Sequence, residues 1–495
     1  MSFLIGIASG LGADSVGPPA GSGGGGGGGF TPIETDLLYF LNAQTGIYSD
    51  AGNTEATDGQ AIQQINDQSS AGIIATNTQV GYQATYAVAS VNGLNSIRLE
   101  NDNTYDTYFL SSEVALPNYL FTLHVVYKKD ALSDAAVFAA DGQTLFSDDG
   151  GGGINLLQGA TYYSYDGGDD WTILSFIQDK SGSGLYYLFI NGVLMKKLTS
   201  TTTATQAIDR LFQRPSRRIG NFNVGDMLFY AQAQSFADVA TTQNGLNNKY
   251  GQLYLPIDTS LPTPPIISGS TLELYVNPDY NTYSDVAQTA ATNLDYVRSA
   301  KLTTADLQSI YQDSAANQFQ WKNTVMPSSK ASLNKNVTSA RYQISNDLSF
   351  GASESYVVYG VIKRDSASST AAIIGHEGSY YEGIFWQGNL MYWSDSSNTN
   401  YTASIPMTNN VVVNAFVVDR SAGEMRVYEN GTEIGTVDIS GSTSGVVHNM
   451  LYNRRFNATG QMDYGITMVY RGLPSATDVG TVSDWLNVYY GGLIY

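Results

Sequence analysis

Cysteine is absent from all 495 residues, which removes disulfides, thiolate metal sites and cysteine nucleophiles from consideration. Histidine is nearly absent. His124, His376 and His448 share no metal-ligand spacing such as H-x-x-x-H, so a histidine zinc site is not expected. Each reads as a strand or surface residue rather than a catalytic base. Positive charge is scarce as well: Lys and Arg number 24 against 44 Asp and Glu, a formal charge of −20 that repels phosphate backbones and anionic lipid heads. Nucleic acid is therefore not an expected partner. Membrane insertion is not expected either, because no run reaches the roughly 18 consecutive apolar residues that span a bilayer. The opening MSFLIGIASGLGADSVG is apolar but lacks a basic n-region, the first basic residue being Arg98, so it supports a secretory signal poorly.

Glycine, by contrast, is abundant, and seven of the 51 form an unbroken run from Gly23 to Gly29. Such a stretch has no side chains to bury and maximal backbone freedom, so it is expected to act as a flexible tether. It sets apart a short apolar peptide, 1–16, whose Phe3, Leu4, Ile5 and Ile7 are candidate anchor residues for docking on another protein. A frayed terminus without a role is the competing reading. Residues 1–35 are expected to be this anchor and tether.

A second boundary lies at 255–270, LPIDTSLPTPPIISGS, where four prolines forbid regular ladders and stiffen the chain into a spacer. On either side of it the sequence repeats. LLYFLNAQTGIYSD at 37–50 matches LELYVNPDYNTYSD at 272–285, and Tyr230, Ser235, Asp238, Val239, Leu246, Asn247, Tyr250 and Gly251 match Tyr470, Ser475, Asp478, Val479, Leu486, Asn487, Tyr490 and Gly491. Ser235 and Ser475 each have an acid three residues on, the S-x-x-D capping box, followed by one apolar helical stripe and a closing glycine. FTLHVVYKKD at 121–130 matches YVVYGVIKRD at 356–365, and Asn191-Gly192 and Asn430-Gly431 each separate two strand-forming runs, the strongest short-range hairpin signal. The expectation is an all-β chain of two tandem antiparallel sandwiches, 36–254 and 271–495, each ending in a short capped helix and preceded by a flexible N-terminal arm.

The opening strand with Asn42, Tyr48, Ser49 and Asp50, the I-N-D-Q-S-S stretch at 65–70, the N-G-L-N-S-I-R-L strand at 92–99, the D-K-S-G hairpin at 179–192 and the helix ending in Lys-Tyr-Gly resemble the concanavalin A-like lectin/glucanase superfamily. The resemblance is to laminin G-like jelly rolls of the kind found in bacterial and bacteriophage proteins. It spans both halves, although the second lacks a clear I-N-D-Q-S-S counterpart. It implies jelly-roll sandwiches with a loop-rich rim used to bind carbohydrate or protein. Glucanases of this superfamily carry an E-x-D-x-x-E strand, and the nearest stretch here, Glu377 to Glu382, has Ser379 where the central Asp belongs; no enzyme is expected.

Aromatic clusters offer the binding chemistry. Tyr162, Tyr163, Tyr165 and Trp171 in the first half, and Tyr380, Tyr381, Trp386, Tyr392 and Trp393 in the second, could stack on sugar rings while neighbouring Asp and Asn accept hydroxyl hydrogen bonds. The alternative for each is a place in the sandwich core. Asp148, Asp149, Asp166, Asp169 and Asp170 gather hard oxygens with flexible glycines, as Ca²⁺ requires, yet solvated acidic turns look the same. No other cofactor is called for. The resemblance, together with the layout of anchor, tether and paired sandwiches, implies a bacteriophage virion protein, a capsid decoration, head fibre or tail component. It would join other virion proteins through 1–16 and display glycan-binding domains at the virion surface. A secreted or cell-surface bacterial adhesin is the alternative, and homo-oligomerisation is left open.

Overall fold

In the computed structural model the described residues are 30–52, 54–99, 107–115, 120–129, 134–140, 143–149, 153–156, 161–164, 170–179, 185–199, 207–212, 222–254, 262–283, 296–297, 299–301, 309–312, 318–335, 341–364, 370–376, 383–397, 399–406, 408–452 and 462–492. They form four antiparallel sheets and two α-helices. No ladder among them joins a strand before residue 231 to one after 270.

The strand order of the first half recurs in the second. One sheet runs Val193–Thr199, Leu185–Ile190, Thr172–Asp179, Phe121–Lys129, Phe222–Tyr230, Leu94–Leu99, Thr85–Val91, with Leu37–Leu41 also on Phe222–Tyr230. Its counterpart runs Thr432–Asp438, Glu424–Glu429, Val412–Asp419, Tyr356–Arg364, Met462–Arg471, Lys330–Lys335, Phe319–Met326, with Thr271–Val276 on Met462–Arg471 and one added strand, Tyr296–Val297, at the edge. The partner sheets, nine strands each, begin at the edges Thr161–Ser164 and Asn400–Ser404 and end at Ile47–Tyr48 and Thr282–Tyr283. Even the irregularities coincide: Leu37 pairs with Tyr230 and Leu272 with Tyr470, and in each case the register slips at the next step.

Local sequence explains the shared details. Asn191-Gly192 and Asn430-Gly431 both take positive φ, 50° and 76° in the first, 50° and 77° in the second, as a two-residue hairpin of primed type demands. Each Asn side chain also accepts from the neighbouring strand, Ile173 N at 2.8 Å and Val413 N at 2.9 Å, so the turn is tied to the sheet it serves. Helices α1, Phe236–Lys249, and α2, Ala476–Tyr489, start at Ser235 and Ser475, whose hydroxyls accept from the amides of Asp238 and Asp478. They stop at Gly251 and Gly491, φ +75° and +77°, where a side chain would be strained.

Each pair of sheets closes over one apolar core, and each helix covers the outer face of one sheet. Strands Phe121–Lys129 and Tyr356–Arg364 are buried on both faces for that reason, which is why they read as nearly continuous apolar runs. The proline-rich spacer is not free along its described part. From residue 262 it lies on the second sandwich, with Ile267 buried and the Pro265 carbonyl accepting from the Tyr470 hydroxyl at 2.9 Å. Neither described helix is long and apolar enough to cross a membrane.

Candidate binding face

Three adjacent strands of the second sandwich, Gly383–Gln387, Leu390–Ser394 and Asn400–Ser404, carry three of the six described aromatic residues that the sequence singled out. Alternation along them sorts those residues between two faces. Ile384, Trp386, Met391 and Trp393 point inward and join the core. Trp386 is 1% and Trp393 0% exposed, so the expectation that they present rings to a sugar is corrected: both belong to the packing. Trp386 stacks near Phe416, centroids 6.4 Å apart, and the Trp393 indole N–H donates to the Tyr356 hydroxyl at 3.0 Å. Arg420 covers Trp393 at 5.0 Å and is itself fixed by the Ala352 and Ser444 carbonyls and the Ser442 hydroxyl.

The other face keeps the aromatic chemistry. Phe385 and Tyr392 lie directly opposite across the ladder and stack, 4.6 Å between centroids and 10° between planes. Phe385 is buried, and Tyr392 remains half-exposed above it. Thr402 continues the same row on the edge strand, and Gln387, Leu390 and Ser404 form the next row; all four are exposed. A flat ring held rigid by a stack beneath it, beside hydroxyl and amide groups, suits a sugar ring, whose axial C–H face packs on aromatics while its edges need hydrogen bonds. Both helices pack against the opposite sheet of their sandwich and leave this face to the strands.

In the first sandwich Trp171 is half-buried against the patch beneath α1. Tyr162 and Tyr163 sit on the edge strand Thr161–Ser164, while Tyr165, Tyr380 and Tyr381 lie outside the described residues. Asp148 and Asp149 end the strand Gln143–Asp149, paired with Ala135 and Asp134, instead of standing in a turn. Asp170 is exposed, and Asp166 and Asp169 lie outside the described residues. No three His, Asp or Glu residues converge as a metal cage among the described residues. Phe3, Leu4, Ile5, Ile7, the glycine run, Glu377 and Glu382 also lie outside them.

Sequence reasoning missed a histidine–serine pair. Ser175 Oγ donates to His124 Nδ1 at 2.6 Å, and His124 Nε2 donates to Gln234 Oε1 at 2.7 Å. The spacing in the chain, 51 and 110 residues, gives no local signal. The arrangement has the outline of a nucleophile and base, yet the third member is an amide, and His124 and Ser175 are fully buried beneath α1. Burial holds the His124 imidazole down at about 4, so it is neutral and structural.

No family model and no curated protein matches the chain. Among solved structures it is similar to the CBM40 of the Ruminococcus gnavus IT-sialidase bound to alpha2,3 sialyllactose, at 16% identity over 30% of this chain and 98% of that one, with a TM-score of 0.23. It is also similar to the binding domain of Paraclostridial Mosquitocidal Protein 1, at 10% identity over 84% and 91% of the two chains, TM-score 0.33. A third is the binding domain of Botulinum neurotoxin DC in complex with rat synaptotagmin II, at 10% identity over 84% and 100%, TM-score 0.28. Likenesses this distant carry no argument about function.

Proposed function

We propose that the chain is a non-catalytic binding protein whose second sandwich holds surface saccharides on the face built by Phe385, Tyr392, Thr402 and Gln387. The observation that carries this reading is the rigid Phe385–Tyr392 stack on a sheet face that the helix does not cover. Its strands offer neutral hydrogen-bonding groups beside the ring and no exposed pair of carboxylates, so the face is suited to gripping rather than cutting. A glycan array probed with the full-length chain tests it. Tyr392→Ala should lose array signal at least about tenfold, the cost of one stacked ring, while the unfolding temperature holds. Equal binding by the variant would refute the assignment.

In its finer form the proposal places the chain on a bacteriophage particle, as two concanavalin A-like domains, 36–254 and 271–495, hung from an anchor at 1–16. The support is the order of apolar leader, glycine tether and duplicated sandwich in the sequence. Particles assembled with a chain lacking residues 1–16 should carry none of it, whereas a chain that still copurifies with them at fixed stoichiometry would remove the anchor.

A further inference from the structure

The duplication supplies an internal control for every surface: a position at which one copy is sealed and the other open needs a reason. Beneath the two helices the copies part. In the second sandwich Trp485 of α2 lies against Tyr275 and Tyr489, centroids 6.5 and 6.0 Å away, Val482 is fully buried, and the Tyr470 hydroxyl is paired with the Pro265 carbonyl. The site is sealed there.

At the matching positions, 240 residues earlier, the first sandwich carries Gly245, Thr242 and Tyr230. A groove of about 390 Å³ opens between α1 and the segment leading into the first strand, with Phe30, Thr31 and Ile33 on one wall and Thr242, Gly245 and Asn248 on the other. Gly245 is what admits Phe30: a Cβ at 245 would stand 2.6 Å from the Phe30 ring. The helix wall carries a buried polar group. Thr242 is 1% exposed and its hydroxyl has no partner. Behind it the fully buried Tyr230 hydroxyl lies beside Thr242, Gln234 and the main chain of Ile33. A buried hydroxyl without a partner is costly, so a groove lined by that of Thr242 is poised for a ligand that completes it.

We infer that this groove is a second binding site, for one neutral sugar ring. No residue on its walls is charged, which disfavours an anionic or cationic ligand because nothing would repay the lost hydration of the charge. Phe30 offers an aromatic wall, Thr31, Thr241, Thr242 and Asn248 offer hydroxyl and amide groups, and the volume is at the small end of ligand pockets. Because one wall belongs to the segment that follows the glycine run, occupancy also fastens that segment to α1. This inference rests on the saccharide-binding reading but names a different site, and its test separates the two.

The full-length chain is titrated calorimetrically with the methyl glycosides of glucose, galactose, mannose and N-acetylglucosamine, with glucuronate as a charged control. One neutral glycoside binds, glucuronate does not, and hydrogen exchange slows at residues 30–35 in the complex. Thr242→Val, the residue type of the sealed copy, weakens binding at least fivefold, and the double variant Phe30→Ala with Gly245→Trp, which fills the groove with the indole of the sealed copy, abolishes it. Tyr392→Ala leaves it unchanged. Absence of binding by every neutral glycoside, equal binding of glucuronate, or unaltered affinity in Thr242→Val overturns the groove. Binding lost only in Tyr392→Ala assigns the sugar to the sheet face and overturns the groove alone.

Discussion

Three buried ionisable side chains set how stability responds to pH. Burial lowers the His124 imidazole to about 4 and the His448 imidazole to about 3, the latter with His376 adding to the effect, and lowers the Lys335 ammonium to about 7. All three are depressed, so the unfolded chain binds more protons than the folded one between each folded value and the ordinary value near 6.5 or 10.4. Stability therefore falls as pH drops from about 6.5 towards 4, by about 3 kcal/mol for each histidine. It rises again from pH 7 towards 10 as Lys335, which donates to the Tyr452 carbonyl at 3.3 Å, becomes neutral in both states. Buried tyrosines such as Tyr230, pushed up to about 12, reverse the gain above about pH 10. Urea unfolding across pH should show an alkaline optimum. Lys335→Met should raise stability at pH 7 by about 1–3 kcal/mol and flatten the slope above it, because no carboxylate is left unpaired by the change; a variant less stable at pH 7 would show that the ammonium has a partner it needs.

At the scale of elements, the two helices test how far local chemistry decides structure. Ser475 accepts from the Asp478 amide, and Asp478 accepts in return from the Ser475 amide, so Ser475→Ala should cost about 1 kcal/mol in urea unfolding. This cap, the Asn-Gly turns and the terminal glycines were legible in sequence because each depends on two to five neighbouring residues. So were the strands buried on both faces, whose apolar runs are unbroken. The sorting of aromatics between core and surface was not legible. Trp386 and Tyr392 lie in one cluster of rings, and only the register of three strands turns one inward and the other out. Nor could the sequence show what fills a buried position opposite a helix end. In the first sandwich Asp226, fully buried, holds Lys249 Nζ at 2.5 Å and the Tyr250 hydroxyl at 2.8 Å, where the second has Ile466, Tyr489 and Tyr490. Burial pushes the Asp226 carboxyl up against the pull of Lys249. Lys249→Ala should therefore cost about 3–5 kcal/mol by stranding a buried carboxylate. The pair Asp226→Ile with Lys249→Tyr, borrowed from the other copy, should lose far less, and equal losses would show that the ion pair is not the source.

The whole molecule joins two sandwiches that share a strand order and differ in what lies under the helix. Each owns its core, no described ladder crosses residues 231–270, and the described part of the spacer packs on the second sandwich. Units so organised unfold as separate cooperative steps unless an interface couples them. The first carries beneath α1 a network of His124, Ser175, Gln234 and Gln243 with unpaired amide groups; at the places of His124 and Ser175 the second carries Tyr359 and Ala415. Buried polar groups without a partner occur in both, among them Gln178 and Gln234 in the first and Tyr359 and Asn414 in the second. Calorimetry of the full chain should resolve two transitions, one belonging to residues 30–254 and the other to 262–492, each reproduced by that segment expressed alone. In the Tyr392→Ala chain, whose sheet face is disabled, a saturating neutral glycoside should raise the transition of the first segment and leave that of the second unmoved, since a ligand stabilises only the unit that binds it. A single transition shared by the intact chain, with either segment unfolded by itself, would mean that the duplicated halves fold as one body and that the groove's affinity cannot be assigned to the first alone.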